Sequence, residues 1–178
     1  MKYKLPAYVF GILLICTLQT TVIEYVKIFN IKPNLLLVYI VSVSLVRGNT
    51  EGAVIGLISG FIMDCLSGRI IGYYSLLGMY LGLSTGSINK KIFRENFLVA
   101  AFFAFAATIV YEFIVMFTGL YIPAVFSRSA QPEDLLFALR NIILPEAVYN
   151  SVISIFVYIL VTKSNDKYME IVRNARRY

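Results

Sequence analysis

GAVIGLISGFIMDCLSG, residues 52–68, sets Gly52, Gly56, Gly60, Asp64 and Gly68 four residues apart inside an apolar run. On a helix, steps of four drift slowly around the axis and trace an inclined ridge. A ridge of glycines admits another helix at short range, which matters most in a membrane, where van der Waals packing drives helix association. One carboxylate, Asp64, lies on the same ridge. At the bilayer centre such a group costs about 2.5–3.5 kcal/mol on insertion scales, so it requires a partner, water or the interface. The next apolar run carries a sister ridge, Gly78, Gly82 and Gly86. Two readings follow: the ridges pack on each other, or Gly52, Gly56, Gly60, Asp64, Gly78, Gly82 and Gly86 form a surface on which a partner's helix docks.

Working outward, the composition defines the class. Of 178 residues, 59% are hydrophobic and the mean hydropathy is +0.77, more apolar sequence than a water-soluble core can hide. The spacing predicts an all-α integral membrane protein, one domain of six spans over about 5–23, 33–46, 52–66, 70–88, 97–119 and 145–162, with a basic tail over 163–178. Lys2 and Lys4 precede the first run, which is too long for a signal peptide and has no small-residue cleavage site before Gln19, Thr20 and Thr21. Pro33 reads as the first residue of the second span, which is short: it either begins earlier, near Ile28, or is shielded by neighbours. The only long loop runs from Leu120 to Arg140. Within it, Pro132-Glu133-Asp134 followed by Leu135, Leu136 and Leu139 predicts a short amphipathic helix on the outer membrane face.

Charge placement orients the chain. The net charge is +6, but the basic residues flank apolar runs, as topology determinants do, rather than forming a nucleic-acid surface. Eleven Lys and Arg fall in segments assigned to the cytoplasm and five in outer segments, which predicts both termini inside. Asn89-Lys90-Lys91 with Arg94 is the strongest inside loop. Cys16 and Cys65 read as small buried hydrophobes, with no disulfide framework or zinc site.

Catalytic constellations are missing. With no histidine, Ser-His and Cys-His pairs cannot form, and every lysine falls in a loop or terminus. Asp64 is the only aspartate within a span, and there is no phosphate-binding glycine loop. These features predict no enzyme, no cofactor and no metal. The remaining intramembrane polar residues, Asp64, Glu112, Glu146 and Asn150, either line a polar cavity of a transporter or satisfy one another and the outer interface. Glu146 and Asn150, four apart, share one helix face.

The ordered motifs Lys32-Pro33-Asn34, Arg47-Gly48, Gly52…Gly56…Gly60-Phe61…Asp64, Gly72 and Leu144-Pro145-Glu146…Tyr149-Asn150 resemble those of the rod shape-determining MreD family. The resemblance covers nearly the whole chain. It implies a small six-span, non-catalytic scaffold of the bacterial cytoplasmic (inner) membrane, active in lateral cell-wall synthesis. The partners it implies are single-span MreC and, indirectly, actin-like MreB with a RodA-type glycosyltransferase and a penicillin-binding transpeptidase. A rival of another class is the substrate-binding membrane subunit of a vitamin (ECF-type) transporter, which shares the size, span count and small-residue faces such as Ala100-x-x-x-Ala104.

Overall fold

The computed structural model describes residues 5–21, 25, 27, 31–67, 71–88, 97–127 and 135–175. Its order is α1 (Leu5–Thr21), α2 (Leu35–Arg47), α3 (Asn49–Ser67), α4 (Tyr73–Ser87), α5 (Phe97–Ser127), α6 (Leu135–Ala138), a π turn (Leu139–Ile143) and α7 (Leu144–Ala175). The described residues form helices and connections without sheets. Among the described residues, three segments are long and apolar enough to cross a membrane, Asn49–Ser67, Phe97–Gly119 and Leu139–Glu170, and two shorter apolar helices are Tyr8–Thr21 and Leu35–Arg47. The basic loop Asn89–Arg94, the terminal Lys2 and Lys4, Arg69, and the helix-start motif Pro132–Asp134 lie outside the described residues.

α2 is the centre of the bundle. All eleven residues from Leu36 to Val46 are buried, and the helix packs against α1, α3, α4, α5 and α7. A helix apolar on every side belongs inside others. Its 13 residues span about 20 Å, short of a ~30 Å hydrocarbon core, and its neighbours shield it. Ser42 and Ser44, fully buried, return their hydroxyls to Val38 O (2.8 Å) and Ile40 O (2.6 Å), so neither is left without an acceptor.

The two glycine ridges meet each other. α3 and α4 run antiparallel with Gly52 against Gly82, Gly56 against Gly78, and Gly60 against Tyr74 and Ser75. A β-carbon at Gly56 would come within 2.5 Å of the Gly78 carbonyl carbon, where ordinary contact is 3.4–4 Å. Gly86 completes the seam against Gly48 and Asn49. Internal packing therefore occupies the glycine faces, and a partner's helix reaches them only if α3 and α4 separate.

Several boundaries differ from expectation, each for a local reason. Pro33 is not the first helical residue: Asn34 caps α2 instead, its side chain accepting from Leu37 N at 3.1 Å. The turn between α2 and α3 shrinks to Gly48, whose φ of 95° suits glycine alone. α5 continues beyond Gly119 to Ser127, and α7 continues through the expected tail to Ala175. A separate amphipathic surface helix is absent from the described residues, because Leu135–Ala138 runs through the π turn directly into α7. The wide turn lies just before Pro145, whose missing N–H and ring disfavour a regular turn. Leu144 N accordingly donates to Leu139 O, five residues back.

The outer surface is apolar: Val54, Leu57 and Phe61 on α3, Phe102 and Val110 on α5, and Val152 and Phe156 on α7 are exposed. Such a surface suits lipid rather than water. Cys65 also faces outward, contrary to the buried expectation, while Cys16 is half-buried.

Candidate functional site

In hydrocarbon the first amides of a helix must find protein acceptors, since no water reaches them. Two helix starts at one end of this bundle meet that demand with side chains from other helices.

The first is the start of α4. Gly72, with φ 99°, opens the helix but has no side chain to cap it. Asp64 reaches across from α3 and does so. Its carboxylate, 1% exposed, accepts from Gly72 N (3.0 Å), Tyr74 N (2.8 Å), Ser75 N (3.1 Å) and the Ser75 hydroxyl. The positive end of the α4 dipole adds to the attraction. Asp64 is thus a cap supplied by the neighbouring helix, at the end of the seam its glycine ridge makes. Tyr73 ties the same corner to α5 through the Thr118 hydroxyl.

The second is the start of α2, where α1, α5 and α7 converge. Gln19 accepts from Leu35 N (2.8 Å) through Oε1 and donates to Pro33 O (2.9 Å) through Nε2. Asn150, fully buried, accepts from Asn34 N (2.8 Å) and donates to the Thr108 hydroxyl (3.1 Å), which in turn donates to Ala104 O (2.7 Å). Glu112 lies beside Asn34, and Glu146 lies beside Asn150 with Glu112 close by. Of the four intramembrane polar residues expected from sequence, the structure brings Glu112, Glu146 and Asn150 together around Asn34. Asp64 serves α4 instead.

Sequence reasoning missed Gln19, Asn34 as a cap, Ser75 and the role of Thr108 as acceptor for Asn150. Asn34 carried a signal, an Asx residue immediately before an apolar helical run. Gln19 carried none, because an amide near a helix end is ordinary until its acceptor is known.

The opposite end of the bundle has a different chemistry. Arg47, at the end of α2, pairs with Glu51 of α3 (Nε to Oε2, 3.9 Å), and Glu51 accepts from the Tyr8 hydroxyl of α1. The guanidinium lies over the Tyr168 ring of α7 at 5.3 Å and the Tyr8 ring at 6.0 Å.

Apolar outer faces, polar groups committed to helix ends and a central buried helix define a helical membrane protein whose polar chemistry holds its own helices in place. The family model for rod shape-determining protein MreD matches residues 1–167, and the chain belongs to that family. Membership assigns it to rod shape determination. No curated protein and no solved structure matches it.

Proposed function

We propose that this chain is a non-enzymatic scaffold of lateral cell-wall synthesis in the cytoplasmic membrane of a rod-shaped bacterium. In this reading it spans the bilayer six times with both termini inside, binds MreC, and through that complex helps position a RodA-type glycosyltransferase and its penicillin-binding transpeptidase near MreB. The family match over residues 1–167 carries the reading. The use of polar side chains supports it, since Asp64 and Asn150 spend their hydrogen bonds on helix starts rather than on a bound solute.

The glycines serve docking by holding α3 and α4 together as one thin element. The helix of MreC then lies on the pair's outer face, where Leu57, Phe61, Leu76 and Tyr80 are exposed. Replacing Phe61 and Tyr80 together by alanine is expected to weaken co-purification of MreC about tenfold or more while leaving the thermal unfolding of the isolated chain within a few degrees. Undiminished recovery of MreC would put its helix elsewhere. Topology is tested by reporters: a fusion after Lys90 reports cytoplasm and one after Arg69 reports the outside, and the reverse pattern removes the six-span reading.

A further inference from the structure

A cavity of about 570 Å³ runs between α1, α2 and α7, from Leu18 and Leu35 at one end to Arg47 and Tyr168 at the other. Leu14, Val157 and Val161 give it apolar walls, and Arg47, Asn165 and Tyr168 give it one polar mouth. We propose that this groove binds a single phospholipid, one acyl chain lying along α2 and an anionic phosphate headgroup meeting Arg47.

Shape suits a chain-like ligand, because the groove is long, narrow and apolar between its two ends. From Leu35 to Arg47 the groove follows about 18 Å of helix, which matches or exceeds the ~15 Å depth of one leaflet's hydrocarbon.

Charge selects the headgroup. The Arg47 side chain is 12% exposed, and its pairing to Glu51 at 3.9 Å goes through Nε. That distance is longer than the 2.7–2.9 Å of a charge-assisted hydrogen bond. The guanidinium carbon lies 5.3 Å from the Tyr168 ring and 6.0 Å from the Tyr8 ring, whose faces attract the cation but accept no strong hydrogen bond. A phosphate can take the planar fork of a guanidinium in two parallel bonds, which a zwitterionic headgroup matches less well because its own ammonium faces the same cation. Ser164 and Asn165, one turn before Tyr168, add hydrogen-bonding groups at the mouth. The ligand source is the bilayer itself, which already surrounds the open side of the groove.

The test uses the full chain in nanodiscs containing equal phosphatidylglycerol and phosphatidylcholine of matched acyl chains, released into native mass spectrometry. The wild type is expected to keep one lipid after the others are stripped, phosphatidylglycerol favoured about fivefold. Arg47→Lys weakens that preference by losing the two-bond fork, Arg47→Gln loses it, and Val161→Phe loses the retained lipid of either kind by filling the groove. The same complement and ratio in all four chains, or a retained lipid in Val161→Phe, overturns the assignment. A phosphatidylglycerol with a photoreactive acyl chain tests the wild type without any variant. Labelling of residues 157–161 and 14–18 is expected, and labelling confined to the outward faces of α3 and α5, or displacement of the probe by a protein partner's helix, overturns it.

Discussion

Asp64 is held inside an apolar bundle by four donors, three of them amides that would otherwise have no acceptor. Removing it strips those donors at once. Asp64→Ala is expected to lower stability by about 3 kcal/mol or more, read from thermal unfolding in detergent. Asp64→Asn keeps an acceptor oxygen but turns an amino group toward the donors, so an intermediate loss is expected. Equal stability of Asp64→Ala and the wild type would mean that α4 needs no cap. Asn150 has the same kind of role at the start of α2, bridging Asn34 N and the Thr108 hydroxyl across 116 residues of sequence. Asn150→Leu is expected to cost about 2–3 kcal/mol by leaving the Asn34 amide buried and unpaired. If the loss from Asn150→Leu disappears when Thr108 is also changed to valine, the bond to Thr108 rather than the amide carries the effect.

Among elements, the α3–α4 pair is the tightest. Its contact is backbone on backbone, so a side chain placed in the seam cannot be relieved by a rotamer change. Gly56→Leu is expected to destabilise the chain by about 3 kcal/mol or more, and Gly119→Leu, at a position with open space around it, by less than about 1 kcal/mol. Similar unfolding temperatures for the two variants would contradict the seam. The ridges were legible in sequence because a four-residue period reports which face is small. Their mutual register was not legible, since periodicity names a face and not its neighbour. The central place of α2 was only half legible: the run Leu35–Val46 reads as short and apolar, but burial on every side depends on five surrounding helices. The polar hub was the least legible, because Gln19, Asn34, Thr108 and Asn150 come from four separate segments that only the fold brings together. Pro145 signalled a helix start, and what it marks is a widened turn through which the helix passes unbroken into α7.

For the whole molecule, the two ends of the bundle are chemically distinct. One gathers Asp64, Glu112, Glu146 and Asn150 around helix starts, and the other gathers Arg47, Glu51, Tyr8 and Tyr168 across four helices. Both sets hold helices to one another, as the proposed scaffold role requires. Loss of the chain is accordingly expected to turn rods into spheres while leaving peptidoglycan synthase activity intact in isolated membranes, with microscopy and a glycan-polymerisation assay as the two readings. In the proposed role, this MreD-family chain works by binding MreC. The most direct test of that role is purification of the tagged chain from native membranes followed by quantification of what comes with it. Recovery of MreC in near-equal amount, with no tightly held vitamin, is the result expected. Recovery without MreC but with a transporter ATPase and a bound vitamin would rule that role out.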